Sequence, residues 1–313
     1  MSRAFVFPGQ GSQAVGMGKE LSDAFPAARE IFEEIDDALN QKLSALMFAG
    51  PEDELTLTEN AQPALMAVSM AAMAVLKSEG GVELPGVANF VAGHSLGEYS
   101  ALAAAGAFSV ADTARLLKTR GQAMQQAVPV GEGAMAALLG LDLDQAREVV
   151  AEAAGDDVLA TANDNAPGQV VISGKREAVE RAVDVAKEKG AKRAMLLQVS
   201  APFHCPMMAP AADVMADALA AVKIDAPIVA LIANVTAAPV EDPSEIRRLL
   251  VEQVTGMVRW RESCLTMREK GIETLVEVGS GKVLSGLARR IDKELSAVNI
   301  GSPADVEAFL GAL

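Results

Sequence analysis

The sequence predicts an α/β protein: a body with a mostly parallel sheet, carrying a smaller ferredoxin-like insert. Short apolar runs that read as strands alternate with longer stretches of helical spacing, the pattern of a parallel sheet with helices on its faces. One internal stretch changes to a βαββαβ order, and Gly and Pro punctuate both of its ends. Length agrees with this reading. A chain of 313 residues, 50% of them hydrophobic, buries one large core or two modest ones and has too little spare length for a multi-module enzyme.

Residues 4–7 read as a first strand that runs into a Gly-rich turn. Apolar residues recur at helical spacing over 22–46, and 63–77 reads as a second, largely buried helix. A buried central strand is expected over 87–92, followed by helices over 98–105 and 111–127. The insert then runs strand 134–140, helix 143–154 and a strand around 158–162. Its second half mirrors the first, with strand 169–173, helix 177–189 and strand 193–199. Hinges are expected at 129–133 and 200–202, so the insert spans 129–199 and the catalytic body spans 1–128 and 200–313. No low-complexity tract or long-period repeat is apparent.

Composition excludes several classes. The N-terminal MSRAFVFPGQGSQ has a short apolar run ended by Pro8 and Gly9, without the longer apolar core of a signal peptide, and a cytoplasmic protein is expected. The longest nearly unbroken apolar run, 65–76, falls short of the ~20 residues that cross a bilayer and reads as a buried helix. Cys205 and Cys264 are too few for a disulfide framework or a metal cluster and are expected as reduced thiols. A formal charge of −15 argues against a general nucleic-acid or anionic-membrane binder. Any acidic partner must meet a local basic patch.

The strongest local signal is Gly93-His94-Ser95-Leu96-Gly97, a GxSxG between an expected strand and an expected helix. That context is what a nucleophile elbow requires, because the glycines let neighbouring backbone pass while the helix N-terminus favours developing negative charge. The plainer alternative is a Gly-rich turn with an ordinary Ser. A serine needs a base, usually His, and the chain has two. His94 adjoins Ser95, where side chains on a tight turn diverge, which leaves His204 in the Pro-bracketed loop Ser200-Ala201-Pro202-Phe203-His204-Cys205-Pro206. Arg120 falls on an apolar helical stripe with Leu116, Leu117 and Met124. A buried guanidinium needs an anion, either a protein carboxylate or, beside a serine nucleophile, an acyl group with its own free acid. Arg can grip such a carboxylate through two parallel hydrogen bonds. Glycines on both sides of Gln10 leave its backbone N–H open to an oxygen, making it a candidate half of an oxyanion hole with the Leu96 N–H as the other half.

This set of motifs resembles the malonyl-CoA:acyl carrier protein transacylases, the discrete enzymes of bacterial fatty-acid synthesis and relatives of polyketide-synthase acyltransferase domains. The resemblance covers nearly the whole chain. FVFPGQGSQ from Phe5, GHSLGEYSALAAAG from Gly93, NAPGQVVISG from Asn165, PFHCPMM from Pro202 and EVGSGKVL from Glu277 stand in the family's order. It implies an α/β-hydrolase-like body, with Ser95 as nucleophile, His204 as base, Arg120 as carboxylate clamp and Gln10 with Leu96 as oxyanion donors. It also implies that a carbonyl in the region of Gln253 orients the histidine, making a dyad more than an Asp-containing triad. Two positions depart from many or some relatives: Thr255-Gly256-Met257-Val258, where many have Asn-Pro, and Phe203, where some have Ser. In the related polyketide domains, Phe there and Leu after the nucleophile accompany malonyl selection.

The expected activity is therefore malonyl transfer from malonyl-CoA to the phosphopantetheine thiol of acyl carrier protein, supplying fatty-acid elongation. No permanently bound cofactor and no metal are expected, and the chain is expected to act as a monomer. Lys187, Lys189, Lys192 and Arg193 are candidates for a basic rim that meets the acidic carrier protein, although such a charge run is also what a solvated helix face carries. The competing readings are a serine esterase or patatin-like acylhydrolase, which has no use for Arg120 in an acyl pocket, and a silent carrier-binding subunit, which needs neither Ser95 nor His204.

Overall fold

Strands that are apolar on both faces can be buried only in the middle of a layered structure, and the centre of this molecule is made of them. The computed structural model describes residues 2–313. Its strands are β1 (Arg3–Phe7), β2 (Phe90–Gly93), β3 (Gly133–Leu139), β4 (Leu159–Ala166), β5 (Gln169–Lys175), β6 (Arg193–Leu196), β7 (Ala230–Ile232), β8 (Pro239–Val240), β9 (Thr274–Val278) and β10 (Ser296–Ile300). They form a six-stranded sheet in the order β10-β9-β1-β2-β7-β8 and a four-stranded sheet in the order β4-β5-β3-β6. The large sheet is parallel except where β8 pairs antiparallel with β7. The small sheet is antiparallel. With helices Leu143–Ala154 and Arg176–Glu188 between its strands, it has the ferredoxin-like βαββαβ topology. The α/β class with a ferredoxin-like insert is thus the architecture observed.

Several element bounds differ from the sequence reading. The stretch 22–46 is not one helix but lies across Lys19–Ala24, Pro26–Leu39 and Leu43–Ala49. Pro26 forces Phe25 into an extended conformation, and Asn40 turns left-handed at φ 46, so the periodicity continues while the axis does not. Residues 84–87 form a helical turn, and the strand begins at Phe90, where it pairs with Ala4 of β1. In the insert, β4 runs on to Ala166 through two irregularities in its pairing with β5, and β6 stops at Leu196.

The helix expected from Pro63 begins at Thr58 and runs to Gly80. Its first turn is gripped from outside: a Cβ on Gly121 would lie 2.5 Å from the Glu59 Cα, so the helix Val110–Ala127 crosses it in backbone contact. By length and composition this longer helix could cross a bilayer, which corrects the expectation from the shorter run. It is a core helix, with 78% of its most apolar 18-residue window buried. Cys205 and Cys264 are both free and buried.

The two sheets meet at fixed points. Gly133, the first residue of β3, and Pro202, in the connection after β6, approach so closely that a Cβ on Gly133 would sit 2.3 Å from the Pro202 Cγ. On the other side, Asp164 N–H donates to the Val258 carbonyl, Val258 N–H donates to the Ala162 carbonyl, and Arg261 pairs with the buried Asp164 carboxylate at 2.8 Å. These contacts set the walls of the cleft described next.

Candidate active site

The GxSxG turns directly from β2 into the helix Gly97–Ala104. Ser95 sits at φ 54, the left-handed conformation of a sharp elbow that projects the hydroxyl away from the sheet. A Cβ on Gly93 would lie 1.9 Å from the Gly97 carbonyl carbon, and one on Gly97 would lie 2.3 Å from the Phe7 carbonyl oxygen. Both obstacles are backbone and cannot rotate aside. Gly97→Ala is expected to cost about 2 kcal/mol or more, read as a lower melting temperature; an unchanged melt would mean that the elbow tolerates a side chain. Asn234 staples the turn, accepting from the Ser95 N–H at 2.8 Å and donating to the Gly93 carbonyl at 2.6 Å.

His204 meets the serine across the cleft, 4% exposed and also left-handed at φ 57. Its Nε2 lies 2.7 Å from Ser95 Oγ, while Nδ1 faces the Gln253 carbonyl at 2.9 Å and the Gly256 carbonyl at 3.1 Å. Carbonyl oxygens only accept. Nδ1 therefore carries the proton, Nε2 is bare, and the Ser95 hydroxyl donates to it. Burial first, and the Arg120 charge next, hold the His204 imidazole down to about 3. His94 points elsewhere: its Nε2 is 2.9 Å from Asn165 Oδ1 and its ring lies against Trp260.

Arg120 is 1% exposed, yet its three hydrogen bonds go to neutral oxygens. Nη1 donates to Gln62 Oε1 at 2.8 Å, and Nη2 donates to Gln253 Oε1 at 2.8 Å and to Ser95 Oγ at 3.1 Å. Its Nε–H has no acceptor. Among the described residues no carboxylate lies within ion-pair distance of it; the buried Glu98, reached through Gln253, is the carboxylate whose charge favours the guanidinium from one residue away. The Tyr99 ring lies beneath it, 5.7 Å from the guanidinium carbon, and burial works against its charge.

Around these groups is a cleft of about 300 Å³. Gln10, Ser95, Leu96, Arg120 and His204 line it from the body, and Met135, Asn163, Leu197 and Val199 line it from the insert or its connection. Phe203 closes the side next to His204. The Gln10 side chain is held by the buried Thr58, whose hydroxyl donates to Gln10 Oε1 at 2.8 Å. Among the described residues, neither the Gln10 nor the Leu96 backbone N–H donates to a protein acceptor. No group of three or more His, Cys, Asp or Glu among those residues is arranged to hold a metal.

A family model described as an acyl transferase domain matches residues 4–302. The malonyl CoA-acyl carrier protein transacylase of Bacillus subtilis (strain 168) is 45% identical over 311 residues, covering 99% of this chain and 96% of that protein. The chain belongs to the malonyl-CoA:acyl carrier protein transacylase family. A crystal structure of acyl-carrier-protein S-malonyltransferase from Bartonella henselae superposes with a TM-score of 0.98 at 58% identity, covering 100% of this chain and 99% of that one. A malonyl-transacylase solved in complex with its type II PKS acyl-carrier protein superposes at 0.96, with 42% identity and 100% of both chains covered.

The structure brings Ser95, His204, Arg120 and Gln253 of this acyltransferase together, and it adds partners that the sequence reading passes over. Gln62 holds Arg120 from the opposite side to Gln253, and the Gly256 carbonyl joins that of Gln253 at the histidine. Gln253 acts with both ends: its carbonyl faces His204, while its side-chain Nε2 donates to the Ser95 carbonyl at 2.9 Å and to Glu98 Oε2 at 2.7 Å. Glu98 is 1% exposed, and burial pushes its carboxyl up to about 7 against the pull of its hydrogen bonds from Gln253 and Asn234. A single signal for it stood in the sequence, an acid in the otherwise apolar and small-residue run after the elbow. Of the basic-rim candidates, Lys187 pairs with Asp184 and Lys189 with Glu148 and Glu152, whereas Lys192 and Arg193 are exposed.

Proposed function

We propose that the chain moves a malonyl group from malonyl-CoA to the phosphopantetheine thiol of an acyl carrier protein, with Ser95 as the covalent carrier. The observation that carries this reading is the buried Arg120, without a carboxylate partner and bonded to the nucleophile itself. An acid on the acyl group supplies the missing anion, and a neutral-ester hydrolase has no such group to offer. In the first half-reaction Ser95 Oγ attacks the thioester carbonyl while its proton passes to His204 Nε2. The Gln10 and Leu96 N–H groups receive the developing oxyanion. On collapse the C–S bond breaks, the Nε2 proton goes to the leaving sulfur, and CoA departs as its thiol. The second half runs in reverse: the carrier thiol gives its proton to Nε2, its sulfur attacks the malonyl ester, and the Ser95 oxygen leaves and is reprotonated. His204 alternates between base and acid, with its Nδ1–H aimed at the Gln253 and Gly256 carbonyls throughout.

The remaining assignments follow the same reading. Residues 129–199 act as a subdomain on a body of 1–128 and 200–313, and the cleft between them limits water. The chain works as a cytoplasmic monomer on its substrates without a resident cofactor, in fatty-acid elongation. Phe203 and Leu96 favour malonyl over bulkier acyl groups. Lys192 and Arg193, at the start of the strand whose continuation lines the cleft, are the basic groups offered to the acidic carrier. The name of the solved carrier-protein complex supports that class of partner. The test is to incubate the protein with malonyl-CoA alone, quench in acid and weigh it intact beside Ser95→Ala. A malonyl adduct absent from Ser95→Ala and discharged by holo carrier protein is the expected result; no adduct with steady CoA release would make the chain a hydrolase.

A further inference from the structure

Glu98 is a buried acid that the transfer steps do not use. It stands in the first turn of the helix Gly97–Ala104, three residues beyond Ser95, and only one of its oxygens is occupied. Oε2 accepts from Gln253 Nε2 at 2.7 Å and from the Asn234 backbone N–H at 3.2 Å, while Oε1 is buried with no partner. The consequence falls on Gln253. Its amide could sit either way round in its slot, but Glu98 Oε2 and the Ser95 carbonyl both demand a donor. The NH₂ therefore points to them, and the carbonyl oxygen Oε1 is left facing Arg120 Nη2. If the amide turned over, a donor would face the guanidinium, which has only donors, and Arg120 would lose its anchor on the Ser95 side.

We propose that Glu98 is a positioning residue for acyl selectivity: it locks the Gln253 amide so that Gln253 Oε1 aims the Arg120 guanidinium at the acyl carboxylate. This rests on the reading of Arg120 as the carboxylate clamp. Glu98 touches neither substrate nor reacting atoms; its hydrogen-bonded route to Arg120 runs through Gln253, beside its charge acting on the guanidinium across the core and its bond from the Asn234 N–H. What matters is an acceptor oxygen at the Oε2 position, so the acid and its amide differ little while an apolar side chain of similar volume fails.

The test compares acylation of Ser95 by malonyl-CoA and by acetyl-CoA in rapid-quench single turnovers, using the ratio of kcat/KM values as the readout. Glu98→Leu is expected to lower the malonyl-to-acetyl ratio roughly tenfold, since the buried acceptor that holds the Gln253 amide is lost. Glu98→Gln is expected to keep the ratio within about threefold, because its carbonyl oxygen takes the Oε2 place. In an Arg120→Ala background Glu98→Leu should not move the ratio further, there being no guanidinium to misaim. A merely structural Glu98 would slow both acyl donors equally, and that outcome overturns the proposal. So does a Glu98→Gln ratio as low as that of Glu98→Leu, which would make charge rather than the acceptor the working feature. Should Glu98→Leu fail to fold, Glu98→Asp, whose shorter carboxylate withdraws from Gln253, must lower the ratio in the same direction; a wild-type ratio in it overturns the proposal. An unchanged ratio in Arg120→Ala overturns the clamp and the Glu98 proposal with it, whereas an unchanged ratio in Glu98→Leu with a lowered one in Arg120→Ala overturns only the latter.

Discussion

His204→Ala is expected to slow acylation of Ser95 by malonyl-CoA by about four orders of magnitude, with the fold intact, because the serine proton then has no acceptor. The contact behind this is the 2.7 Å approach of a bare Nε2 to Ser95 Oγ, with Nδ1 committed to two carbonyls. The measurement is the rate at which the malonyl adduct appears in quenched samples; a loss below about tenfold would remove His204 from the base role. The same geometry predicts the pH profile. A base must be neutral to act, and an ordinary histidine charges below ~6.5. Burial and Arg120 hold His204 down to about 3, so it stays neutral as pH falls, and acylation should show no histidine limb between pH ~8 and ~5. Glu98, raised to about 7, is the other group near the site that can titrate in this window. An inflection near the ordinary histidine value that persists in Glu98→Gln belongs to His204 and contradicts the burial argument.

Arg120→Ala is expected to lower kcat/KM for malonyl-CoA by about 10²- to 10³-fold, the worth of two charge-assisted hydrogen bonds at about 3–4 kcal/mol together. For acetyl-CoA the loss should be far smaller. Two changes oppose each other there: Ser95 Oγ loses its Nη2 hydrogen bond, while His204 is freed from the field that helps depress its basicity. The preference therefore swings towards acyl groups without a free acid. If the two donors fell together, Arg120 would be a structural cation of the elbow and the missing anion would need another explanation. A competition assay with both CoA esters, read by the mass of the acyl adduct, gives the ratio directly.

The features readable along the chain are those carried by a local pattern of residues. The elbow was legible because its GxSxG spacing is itself a local pattern and Gly93 is required by its own turn at Gly97, although Gly97 is required by Phe7 of the distant β1; the insert was legible because its periods of strand and helix change over a short stretch. Arg120 was legible as an anomaly, a cation on an apolar stripe. Its meaning comes from the packed fold, since whether a carboxylate reaches a buried guanidinium depends on every element packed around it. The helix breaks at Phe25 and Asn40, the start of the long helix at Thr58 and the three-residue strand β7 were likewise hidden, because packing and sheet register decide them where propensity is indifferent. The same holds for Gln62, Asn234 and Glu98, and for the side chain of Gln253, of which the family resemblance implied only the carbonyl. Each is an ordinary polar residue in sequence, separated from its partner by up to 158 positions in the case of Gln253 and Ser95. Their roles exist only once two sheets close on one cleft, because a hydrogen bond is specified by distance and direction in space, and neither quantity is written along the chain.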